Sequence, residues 1–232
     1  MRLISVDYAL LSFWEDLIFL EAALLSVEET KGLAEPVTAH LATFSDLLNA
    51  DLKSRREAIQ ARALVSIRDV LLDGGLRALH NGALFLVGQD RKDPRFKALF
   101  ASPINTVVRF ALKRQVEVAQ GLLDTLGLPP YAGNLREGHA EALGGLIAQG
   151  VAALMQRRGA SLGRAEARLE IQGWKEDANA LRQAVYGDLL KLAAQSRQEP
   201  GWADAFFMPR SPRSGAPISD PEDDPEPLDP TP

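Results

Sequence analysis

The chain has 232 residues, 46% of them hydrophobic and 25% charged, with a formal net charge of −5. That length suits one domain or two small ones and can bury a core without staples. There is no cysteine, which excludes disulfides, thiolate metal sites and cysteine nucleophiles, and fits a reducing cytoplasm.

The charge is unevenly placed. Residues 214–232 hold six acids (Asp220, Glu222, Asp223, Asp224, Glu226 and Asp229) and no base. Without those six, 25 of the 31 acids face 26 bases, so the body is near +1. A neutral body with an acidic tail disfavours general nucleic-acid binding, which needs a basic excess on one face.

Long segments repeat apolar residues at three- and four-residue spacing, and none alternates, so the fold class is all-α. The first helix covers 7–31 and stops at Gly32. Glu15, Asp16 and Glu21 interrupt it, leaving no charge-free run of the ~20 residues a membrane span requires. Asp7 likewise breaks the apolar stretch of a secretory signal. From Glu35-Pro36 the helical pattern runs to Val87. One such helix would be ~80 Å long at 1.5 Å per residue, too long for a compact globule, so a break is expected at Gly74-Gly75 or at 80–82.

A helix over 103–126 follows, with Ser102 as N-cap and Pro103 at the first position, ending at Gly127 and Pro129-Pro130. Gln115 falls on its apolar side, as a satisfied core residue or a pocket lining. The next helix starts at Asn134, with Glu137 at capping-box spacing, and stops at Gly159. The last covers 164–197, with a heptad seam of Ile171, Trp174, Ala178, Leu181, Val185 and Leu192. The whole reads as an elongated antiparallel bundle of about six helices over 1–198. An aromatic segment occupies 199–213, and a disordered acidic, Pro-rich tail occupies 214–232.

Four places could carry function. Arg91, Lys92, Arg95 and Lys97 precede the Ser102-Pro103 helix start, and Arg109 lies in its second turn. Cations beside free N–H groups are the ingredients of an anion site. An exposed interhelical turn diluted by Asp90 and Asp93 has the same composition. Ala140, Gly144, Ala148 and Ala152 recur every four residues as a ridge of small side chains, suited to close helix packing within the chain or in a homo-oligomer. Trp202, Phe206 and Phe207 share one turn, which either docks on the bundle or is captured by a partner protein. Arg55, Arg56, Arg62 and Arg68 are interleaved with Glu57 and Asp69 and read as a solvated helical face.

The histidines, His40, His80 and His139, form no Glu-x-x-His or His-Glu-x-x-His pattern, and no nucleophile–base motif or phosphate loop is present. No catalytic residue, metal site or cofactor is therefore expected. The leading expectation is a cytoplasmic, non-enzymatic interaction or scaffold protein, acting through helix faces and its aromatic-acidic terminus. Its partner would be another protein or a second copy. The alternative is a bundle that binds a small molecule or anion around residues 91–109, with or without catalysis.

Overall fold

The computed structural model describes residues 3–131, 133–199 and 201–209. Among them the chain is all-α and contains no strand. The acidic segment 214–232, read above as disordered, lies outside the described residues. The described residues form two compact units: those up to Ser54 with those from Arg164 onward, and Arg55–Gly163. Two long helices, α3 (Phe44–Leu86) and α7 (Asn134–Gln195), contribute to both.

The first unit begins with α1 (Leu10–Leu25). It ends earlier than the 7–31 expectation because hydroxyls take its last carbonyls. Ser26 Oγ donates to the Ala23 carbonyl at 2.7 Å, and the buried Thr30 Oγ1 donates to that of Leu24 at 2.7 Å. A 3-10 turn (Glu28–Leu33) leads into α2 (Glu35–Ala42), with Pro36 in its first turn. Phe13, Leu17, Leu20, Leu24, Val37 and Phe44 form the core with Trp174, Val185 and Leu189 of α7.

The break expected at Gly74-Gly75 occurs instead at Thr43. Its Oγ1 donates to the His40 carbonyl at 2.7 Å and accepts the Trp174 indole N–H at 2.9 Å. After it, α3 runs unbroken from Phe44 to Leu86. The two suspected breakers are tolerated because they let helices approach. A Cβ on Gly75 would stand 2.5 Å from Leu146 Cδ1, and one on Gly82 2.5 Å from His139 Nε2. The helix ends where backbone requires it, at Gly88 and Gln89, with φ of 61° and 67°.

The second unit continues with α4 (Pro94–Leu99), whose N-cap Asp93 accepts the Arg95 N–H at 2.8 Å. The expected helix over 103–126 is two helices, α5 (Ile104–Val107) and α6 (Leu112–Leu126). Ser102 does not cap: Pro103 holds that position and no side chain bonds there. The break is held by Gln115, fully buried, whose Nε2 donates to the Phe110 carbonyl at 2.9 Å. A side chain that satisfies a main-chain carbonyl can replace one rung of the helical ladder.

The two final helices expected from the sequence are one, α7 (Asn134–Gln195). Gly159 stays helical and does not cap; among the described residues the glycines with positive φ are Gly88 and Gly201. An interior glycine costs about 1 kcal/mol against alanine, too little to stop a helix that packs on both sides of it. α3 and α7 each serve two cores in turn, one in each unit. The second core is Leu-rich, with Leu72, Leu76, Leu79, Leu122, Leu126 and Leu143 at its centre.

Candidate functional site

The cationic segment does not assemble a pocket. Arg91, Lys92, Arg95, Lys97 and Arg109 are all exposed. Arg95 turns back on its own helix cap, with Nε at 3.1 Å and Nη2 at 2.8 Å from the two Asp93 oxygens. Those hydrogen bonds hold the Asp93 carboxyl below its ordinary range. Asp90 takes the Lys92 N–H at 2.8 Å. The helix that starts at Ile104 is one turn long and offers no sustained dipole.

The ridge of small residues is divided by helical geometry. A step of four residues advances the face by about 40°, so a ridge spaced that way winds around the helix. Ala140 and Gly144 are half-buried, with a Gly144 Cβ lying 3.7 Å from Leu123, whereas Ala148 and Ala152 are exposed. The glycine that packs closely is Gly150, where a Cβ would meet Val116 Cγ2 at 2.9 Å.

The aromatic turn lies against the first unit. Ala203, Phe206 and Phe207 are buried in its core, and Trp202 is half-buried beside them. Phe206 sits edge-on to Trp202 and Phe207 edge-on to Tyr186, with the Arg182 guanidinium 5.4 Å from the Phe207 ring. An open hollow of about 200 Å³ lies next to this turn, lined by Tyr186, Leu190, Gln198, Trp202 and Asp204 among others. That is below the ~300 Å³ where ligand pockets begin.

Sequence reasoning missed the polar interior of the first unit. Asp51 pairs with Arg164, both almost wholly buried, and Ser54 Oγ lies 3.4 Å from the same guanidinium. Asp16 and Arg182 face each other at 4.0 Å with under 4% side-chain exposure. Asn179 brackets Ile4, accepting its N–H at 3.1 Å and donating to its carbonyl at 2.8 Å. Lys175 Nζ donates to the carbonyls of Val6 and Tyr8 at 2.9 and 2.7 Å, and burial pulls its pKa down. The His40 ring stacks on Trp174 at 4.5 Å. Each of these groups ties distant chain segments together. In every tie α7 supplies one partner.

Sequence reasoning also missed the outer faces of the second unit. On α3, Ile59, Ile67 and Val70 are 55%, 59% and 64% exposed, on the side opposite Leu72, Leu76 and Leu79. Met155 and Leu162 on α7 are 70% and 59% exposed. The signal was present in the sequence as apolar residues in excess of one helical face.

Of the remaining groups, Asp69 has its pKa raised by burial and by Asp73 one turn away. Among the described residues no cluster of three His, Asp or Glu side chains could hold a metal, and no helix is long and apolar enough to cross a membrane. No family model, curated protein or solved structure matches the chain.

Proposed function

We propose that this chain is a non-enzymatic interaction protein that works through exposed helix faces. The observation that carries this reading is the outer face of α3 within Arg55–Gly163, where Ile59, Ile67 and Val70 stand more than half exposed. Large side chains are exposed singly on most proteins. Here they recur along one helix at spacings that return to one side, which is the form a helix-packing surface takes. A protein partner that presents an amphipathic helix fits such a face. The acidic segment 214–232 would add steering toward basic surfaces.

The cation-rich segment supports an anion-binding reading less well, because the Arg95 guanidinium already engages Asp93 and the five cations are exposed without a shared pocket. Phe206 and Phe207 are taken up by the unit's own core, so of the terminal aromatic residues Trp202 has the surface left to offer.

The test is affinity capture with the full chain and with an Ile67→Lys/Val70→Lys variant, after circular dichroism has shown equal helicity. Loss of specific partners from the variant supports the reading. Identical partner sets with both chains remove it.

A further inference from the structure

We propose that the α7 face from Gly145 to Leu162 is a seam on which a second copy of this chain lies antiparallel. It concerns a different helix from the α3 face, so either reading can fail alone.

Residues 145, 148, 152, 155, 159 and 162 follow alternating steps of three and four, which keeps them on one side of a helix paired with another. All six are exposed, and Met155 and Leu162 are the large ones. Side-chain size is sorted by heptad position. Gly145, Ala152 and Gly159 occupy one position; Ala148, Met155 and Leu162 occupy the other.

In an antiparallel pair each layer joins one kind of position to the other kind. With the two-fold axis between Ala153 and Leu154, Leu162 faces Gly145 of the second copy, Met155 faces Ala152, and Ala148 faces Gly159. Every bulky side chain then meets a small one, and the contact is the same from both sides, as a closed dimer demands. A parallel pair would set Met155 and Leu162 against themselves and leave voids at the glycines.

The glycines on the seam leave room for a second helix. At Gly145 and at Gly159, as at Gly138, Gly163, Gly173 and Gly187 of the same helix, a Cβ would meet no side chain within 4 Å beyond its immediate chain neighbours. Each costs about 1 kcal/mol against alanine in a helix interior, with no packing return inside this chain. Gly150, one face over, has such a reason in its contact with Val116. A second helix approaching closely along the outer face supplies the missing one. The seam is about 27 Å long at 1.5 Å per residue. That covers less than the roughly 800 Å² per partner of a standard interface, so the dimer is reversible and concentration-dependent.

Sedimentation equilibrium on the full chain, from micromolar to near-millimolar concentration, should show monomer and dimer. The decisive variant is Ala152→Leu. Leucine is a good helix former and meets open solvent in the monomer, so helicity and melting temperature at low concentration should hold. It fills the hole that receives Met155, so dimerisation should weaken at least tenfold. A merely sticky face would associate more strongly with an added leucine, and that outcome overturns the proposal. Because the chain has no cysteine, Ala152→Cys and Met155→Cys chains can be mixed under oxidation. A disulfide between the two kinds is expected, and its absence, or a monomer at all concentrations, sinks the seam. Neither result touches the α3 face, whose test is partner capture.

Discussion

The two units reach stability by different means. In the first, charged and aromatic groups join segments far apart in sequence: Asn179 holds Ile4, Arg164 holds Asp51, and Trp174 bonds Thr43. The second is a contiguous stretch packed largely from leucines, and its buried polar groups in the described residues include Gln115 and the hydroxyl of Tyr131, which donates to the Arg95 carbonyl. Polar ties are directional and cannot be shared, so losing one partner leaves the other buried and unsatisfied. Aliphatic packing is spread over many small contacts and degrades gradually. Damage should therefore be concentrated in the first unit and graded in the second.

The comparison can be read directly, because Trp14, Trp174 and Trp202 all lie in the first unit. Tryptophan fluorescence follows that unit, while circular dichroism follows both. The largest effect is expected from ending the chain after Gln198. Ala203, Phe206 and Phe207, exposed by 3%, 4% and 7%, are then removed from the first core. Losing one buried Phe typically costs about 3–5 kcal/mol, a large part of the 5–15 kcal/mol that holds a domain. Hydrogen exchange should show protection lost at Leu17 and Leu20 and kept at Leu76 and Leu79. Retained protection in both places would mean that the aromatic turn is not a structural part of the unit.

Next in size is Asp51→Ala, which takes the carboxylate from a buried guanidinium. Breaking such a pair costs about 3–5 kcal/mol, whereas an apolar pair of similar volume often costs little. Urea unfolding followed by fluorescence should show the full loss in Asp51→Ala and recovery in Asp51→Leu/Arg164→Met. No recovery would show that the pair does more than fill space.

How much of this was open to the sequence differs along the same line. The all-α class was legible from periodicity alone, because 3.6-residue spacing is local. The helix ends were not. Gly74, Gly75 and Gly159 look like stops, yet Gly75 is a contact point for Leu146, and a glycine's role depends on what lies opposite. Thr43 looks like any helical residue until Trp174 is placed beside it. Nothing local in the sequence marks Arg164 and Arg182 as buried, and only Asp51 and Asp16, far away in sequence, explain their burial. The first unit was illegible as a unit because its halves are separated by the whole of the second.

A smaller effect sharpens the account of the second unit. Gly150→Ala places a methyl 2.9 Å from Val116, whereas Gly145→Ala places one in open space. The helix gain of about 1 kcal/mol is common to both. Overpacking costs roughly 1–3 kcal/mol at Gly150 alone. Gly145→Ala should therefore be neutral or stabilising in dilute solution, and Gly150→Ala should lie about 1–3 kcal/mol below it by thermal melting. Equal melting temperatures would show that α6 and α7 can move apart freely.

The smallest expected effect is a pH dependence belonging to the first unit. His40 stacks on Trp174 with rings inclined by 21°, and its Nε2 is buried without a hydrogen-bond partner. Burial lowers its pKa below 6.5, while the Trp174 backbone and the Asp177 carboxylate oppose that shift. The unfolded chain then takes up the proton at a higher pH than the folded one. Stability should be full above 6.5, fall as pH drops through that value, and level off once the folded ring is also protonated. Replacing the ring by His40→Phe keeps a flat aromatic surface over Trp174 and removes the titration. Urea midpoints from tryptophan fluorescence should decline between pH 7.5 and pH 5 in the parent chain, and more steeply there than in the variant. If both decline alike, the slope comes from carboxylates, and the stack is a packing contact with no protonation cost.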